Sequence, residues 1–166
     1  GNVLENPPVN VQFDAQGNNT NWWTDEDSKA FAERTGKLVE QFNGYEPLPG
    51  KFVNGQLTLG ENIADLGGLA ISYDALQVAL KKDPAEAAEK IDGYTQDQRF
   101  FLNWARIWRG HAREKRQEVL LNTDPHSPSN YRAIGAPSNM PTFAAAFGCK
   151  TGDAMVRDGD KQVKIW

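Results

Sequence analysis

The segment from Thr58 to Leu80 constrains this chain most. Leu66, Leu69, Tyr73, Leu76 and Leu80 recur as one helical stripe, and Ile63, Ala70 and Ile71 widen it. A helix so patterned is expected to be largely buried. Gly67 and Gly68 each cost about 1 kcal/mol against alanine inside a helix, which predicts a close neighbour on that side. Within the first turns, Gly60-Glu61-Asn62-Ile63-Ala64-Asp65 places two carboxylates four residues apart on one face. An inward carboxylate is costly unless it is paired, hydrogen-bonded or bound to a metal ion. Spacing alone leaves two readings of Glu61 open. Thr58-x-x-Glu61 fits a capping box, with Glu61 bonding back to the backbone of Thr58. Alternatively, one carboxylate ligates a metal while the other holds the free ring nitrogen of a ligating histidine.

The remaining elements are also helical. Thr24 precedes Asp25, Glu26 and Asp27, a good N-cap with acids at the positive helix end. Phe31, Leu38 and Phe42 follow at helical spacing, predicting a helix over 25–42 that Gly44 stops. Pro84 ends the long apolar segment or begins a short helix through Lys90. Another helix is expected over 95–112, with Phe101, Trp104 and Trp108 along one side. Arg106, Arg109, Arg113, Lys115 and Arg116 read as its solvated basic surface. Short helices are expected over 115–121 and 141–147. The stretch 122–139 reads as a polar loop holding His126 and Arg132, and 162–166 as extended. Residues 1–11 form an extended lead-in around Pro7-Pro8, and 12–166 form one mainly α domain.

With a net charge of −4 and mixed acids and bases, the chain has no basic footprint for nucleic acid. There is no apolar run near 18 residues, so no transmembrane helix is expected. The single cysteine, Cys149, cannot form an internal disulfide, so it is either a small buried apolar residue or a thiol open to other chemistry.

Asp124-Pro125-His126-Ser127-Pro128-Ser129-Asn130-Tyr131-Arg132 offers a histidine and an arginine. Such a pair can donate to a developing oxyanion and to a substrate carbonyl or carboxylate. Here several runs together carry a resemblance. Gln12-Phe13-Asp14-Ala15-Gln16-Gly17-Asn18 with Trp22-Trp23-Thr24 resembles the run after the zinc helix of the neprilysin family of metalloendopeptidases. Gly60 through Gly68 resembles the family's third-ligand motif. Asp124 through Arg132 resembles its D-x-H-S-P-x-x-x-R segment, and Val163-Lys164-Ile165-Trp166 its C-x-x-W ending.

The resemblance implies the C-terminal part of a gluzincin catalytic domain that cleaves peptides with zinc-activated water. By it, Glu61 is the third zinc ligand and Asp65 the partner of a ligating histidine. His126 stabilises the tetrahedral transition state, and Arg132 binds a substrate carbonyl. Two departures stand out. The family's closing cysteine is Val163 here, and the position resembling its partner is Lys37, as in bacterial-type members without that bridge. Such members include periplasmic and secreted ones. Cys149 resembles a cysteine that pairs outside this stretch in animal members.

The second departure concerns the metal. The 166 residues hold two histidines, His111 and His126, and no H-E-x-x-H. Pro7-Pro8 resembles a pair that usually precedes the zinc helix, as if the stretch between were removed. A catalytic zinc takes three protein ligands and keeps an open position. The expectation is therefore a catalytically incomplete piece that binds no zinc tightly alone. It would act as part of a larger enzyme, as one half of a split peptidase completed by another chain, or as a peptide-binding module. A homodimer is a further expectation, since the Glu61 helix would otherwise leave apolar surface uncovered.

Overall fold

The computed structural model describes residues 14–18, 20 and 23–165. The lead-in expected over 1–11, the start of the first motif at Gln12 and Phe13, Trp22 and the terminal Trp166 lie outside those residues.

Helix α1 spans Asp25–Asn43. The Thr24 hydroxyl accepts from the amide of Asp27 at 3.1 Å, and Asp25, Glu26 and Asp27 occupy the first turn, as the cap chemistry predicts. Gly44 closes the helix, its amide donating to the carbonyls of Glu40 and Gln41. Leu38 and Phe42 are buried, and Phe31 packs against the core beside them.

Helix α2 spans Leu59–Lys82 and α3 spans Pro84–Ala88. Leu66, Leu69, Tyr73 and Leu80 of the predicted stripe are buried. The helix is not buried all round, however: Ile71 is 68% exposed and Val78 also faces outward. Apolar residues surround α2, whereas its described neighbours cover one side. Averaged over an 18-residue window its hydropathy reaches 1.2, long and apolar enough to cross a membrane by length and composition; core helices of soluble proteins meet the same measure. The sequence expectation of no membrane segment is neither supported nor contradicted by this one helix.

The capping box does not form. Thr58 makes no side-chain cap to α2. Its hydroxyl instead donates to the Asn54 carbonyl at 3.1 Å and accepts from Asn62 Nδ2 at 2.9 Å. Local bonds one turn away on either side, to Asn54 and Asn62, engage the threonine hydroxyl, and Glu61 faces His126 and Arg132.

Helix α4 spans Gln96–Ile107, opened by a complete capping box between Thr95 and Gln98. It ends five residues before the predicted boundary at 112. The Arg109 amide turns back to the Arg106 carbonyl at 3.1 Å, and Gly110 follows. Trp108 leaves the helix as its cap and packs edge-on against Trp104, ring centroids 5.4 Å apart. Helix α5 spans Glu114–Thr123.

The polar loop expected over 122–139 is mostly ordered into helix. Helix α6 spans Ser129–Gly135 and a 3-10 turn covers Pro137–Asn139. One long-range and two local side-chain hydrogen bonds secure the C-terminal end of α6. The Gly135 carbonyl accepts from Gln41 Nε2, Ser138 Oγ and Asn139 Nδ2 at 2.9, 2.9 and 3.0 Å. Helix α7 spans Pro141–Phe147, as predicted, and ends at Gly148 in the left-handed conformation.

Of the two glycines at which a close neighbour was expected, Gly67 is buried, whereas Gly68 has no close approach. A Cβ on Gly68 would meet nothing within 4 Å, whereas one on Gly135 would stand 2.5 Å from Phe42 Cζ. Residues after Asn139 return to the core. The Val163 amide donates to Asn139 Oδ1 at 2.9 Å, and Val163 and Ile165 are buried among residues of α1, α2 and α4. The described residues form no β-strand; two isolated bridges pair Leu48 with Lys51 and Ile91 with Tyr94. The fold is mainly α.

Candidate functional site

Three successive rungs join α2 to the segment 124–132. In the middle, Ser127 Oγ donates to Asn62 Oδ1 at 2.8 Å, and both residues are almost wholly buried (4% and 2% exposed). This neutral pair sets the register of the other two rungs. Asn62 stands next to Glu61, and Ser127 next to His126. His126 Nε2 lies 3.3 Å from Glu61 Oε2. One helical turn on, Arg132 reaches Asp65 with both prongs: Nε donates to Oδ2 at 2.7 Å and Nη2 to Oδ1 at 2.6 Å. That two-pronged geometry is the strong form of an arginine–carboxylate bond.

All four residues singled out from the sequence thus meet. Arg132 is positioned by α6 rather than by a loop, which corrects the expectation. Asp65 has Arg132 as its partner in this structure, where the resemblance implied an imidazole. The Glu61 side chain is 40% exposed and the Arg132 side chain only 12%, with 3.8 Å between Arg132 Nη2 and Glu61 Oε2.

His126 is held from behind by Asp124. Asp124 Oδ1 accepts from the His126 amide at 2.9 Å and lies 2.7 Å from Nδ1. The amide bond first, and then the ring, hold the Asp124 carboxyl below its ordinary range. This contact fixes the imidazole so that Nε2 faces Glu61. Arg132 is further enclosed by tryptophans: its Cζ lies 3.9 Å from the centroid of Trp108, and its carbonyl accepts from Trp104 Nε1 at 3.2 Å.

Behind the cluster opens a cleft of about 600 Å³. His126, Arg132, Trp108 and Leu121 contribute to its wall, as does exposed His111. Both histidines of the chain therefore reach one cleft. From the sequence, Asn62 and Ser127 had no assigned role, and Trp108 was placed only along one side of a helix. The available signal was position: Asn62 falls between the two carboxylates, and Ser127 directly follows the loop histidine.

Zinc is the metal that the third-ligand motif implies. Among the described residues, no three of His, Cys, Asp and Glu converge on a point that could hold a metal ion. The open carboxylate of Glu61 faces one imidazole and a guanidinium, and the other ring nitrogen of that imidazole is taken by Asp124. These donors do not complete a three-ligand zinc set.

Residues 8–163 match the family described as Peptidase family M13. The chain belongs to that family, the neprilysin family of zinc metallopeptidases. It is 42% identical to endothelin-converting enzyme 1 of Bos taurus over 144 residues, covering 87% of this chain and 19% of that protein. It is 37% identical to the neutral endopeptidase of Lactococcus lactis over 156 residues, covering 94% of this chain and 23% of the relative. Among solved structures it resembles the zinc metalloprotease Zmp1 of Mycobacterium tuberculosis in complex with an inhibitor. There the TM-score is 0.85 and the identity 42%, over 93% of this chain and 24% of that one. The chain spans about a fifth of the length of the curated relatives it matches.

Proposed function

We propose that residues 12–166 are the C-terminal part of an M13 catalytic domain, contributing one metal-directed carboxylate and a substrate-side pair. Glu61 is the carboxylate offered toward a zinc centre. His126 and Arg132 are the donors that meet a peptide at the scissile bond, and Asp65 holds Arg132 in place. The observation that carries this reading is the three-rung union of α2 with segment 124–132. It gathers all four side chains while leaving Glu61 as the more open carboxylate.

These 166 residues are catalytically incomplete by themselves. The donor set above lacks two imidazoles. Peptides are the substrates of the assembled enzyme, which needs the H-E-x-x-H histidines from further polypeptide. Exposed Ile71, on the helix that carries Glu61, supports a neighbour on that helix, whether further polypeptide, a complementing chain or a second copy.

Zinc titration by calorimetry tests the reading. The expected result is no 1:1 binding at sub-micromolar affinity. Sub-micromolar binding that disappears in Glu61→Ala would overturn it.

A further inference from the structure

Arg132 stands between two carboxylates, and one of its nitrogens can serve either. Nη2 lies 2.6 Å from Asp65 Oδ1 and 3.8 Å from Glu61 Oε2. Coulomb attraction favours the nearer and more buried Asp65, but attraction between charges does not orient a planar fork. A small rotation of the guanidinium would exchange one partner for the other. Something must fix the plane of the fork.

The face of Trp108 meets that requirement. Its ring centroid is 3.9 Å from Arg132 Cζ, within the range of a cation–π stack. A flat cation on a flat ring is free to slide but costly to tilt. In its present plane both prongs meet Asp65. Trp104 acts on the same residue from the backbone side, its indole N–H bonded to the Arg132 carbonyl. The two indoles also brace each other edge to face, at an interplanar angle of 72°. The Trp108 Nε1 atom itself is buried and has no hydrogen-bond partner among the described residues. A buried indole N–H normally finds an acceptor.

We infer that Trp108, braced by Trp104, is the positioning residue that commits Arg132 to Asp65 and keeps it off Glu61. The consequence rests on the reading of Arg132 as a substrate-side donor and of Glu61 as a metal-directed carboxylate. An arginine locked onto Asp65 leaves Glu61 free to act, and presents the same guanidinium edge to every incoming peptide.

NMR of the intact chain tests the inference without requiring catalysis. The Arg132 Nε–H resonance, assigned by its loss in Arg132→Lys, should be shifted upfield by the indole ring current and protected from solvent exchange. Trp108→Leu should abolish the upfield shift and speed exchange at least tenfold, with the α6 amide signals retained. Trp108→Phe, which keeps an aromatic face, should restore most of both. An unshifted Arg132 Nε–H in the wild-type chain would overturn the inference whether or not the variants fold. Unchanged exchange in a folded Trp108→Leu would do the same. Tight zinc binding would sink the proposed function yet leave this positioning role standing, so the two failures are separable.

Discussion

Replacing Ser127 by alanine removes one hydroxyl and leaves Asn62 Oδ1 buried without its donor. Asn62 Nδ2 stays bonded to Thr58, so the amide cannot turn to recruit another partner. Stranding a buried acceptor costs about 1–3 kcal/mol, more than the net value of an ordinary hydrogen bond. The lost methylene-scale packing is negligible, because serine and alanine are nearly the same size. For a domain of this length each kcal/mol lowers the melting temperature by about 2–4 °C, so the expected fall is about 2–12 °C. Urea unfolding followed by circular dichroism gives the free energy directly. A cycle with Asn62→Ala isolates the pair, and the coupling should be about 0.5–3 kcal/mol. The double variant should therefore be less destabilised than the two single losses summed. A Ser127→Ala change below about 0.5 kcal/mol, with additive behaviour in the cycle, would refute the claim that this rung sets the register of the site.

Two further outcomes follow from the glycines and from one tyrosine. Gly135→Ala drives a methyl group against Phe42 and should destabilise by about 1–3 kcal/mol, whereas Gly68→Ala, in open space on a helix, should be neutral or stabilising by up to about 1 kcal/mol; thermal melts of both variants check the contrast. Burial, and then the nearby Asp97 carboxylate, push the Tyr73 phenol up to about 12. The native state thus holds this proton more tightly than the unfolded chain does. Its contribution is fully present below the ordinary value of 10 and is lost as pH rises through about 12. Unfolding midpoints taken from pH 9 to 12 should fall less steeply in Tyr73→Phe than in the wild type; parallel curves would refute it.

The helical skeleton was legible where local chemistry is strong. Thr24 with three following acids, and Pro141 ahead of a small-residue run closed by Gly148, mark their helices almost to the residue. Glu61, Asp65, His126 and Arg132 were legible through their motifs. Their partners were not. Thr58-x-x-Glu61 has the spacing of a capping box, yet the buried amide of Asn62, one residue after Glu61, takes the threonine hydroxyl instead. Helix α6 was hidden because its C-terminal end is secured in part by a bond from Gln41, 94 residues earlier in the chain. Helical periodicity identified the apolar stripe of α2 but not which additional apolar residues find a neighbour, and Ile71 finds none that covers it. Local propensity is a weak prior wherever long-range bonds supply the energy.

Helix α6 is less than two turns long and moored at both ends. Ser127 ties down its approach, while three side-chain donors crowd the oxygen of its last residue. A span so short between two fixed abutments behaves as a beam rather than a hinge. Arg132, near its middle, has no slack with which to follow a guest. On the proposed reading of Arg132 as a substrate-side donor, a peptide arriving at this edge would have to shape itself to a stationary fork.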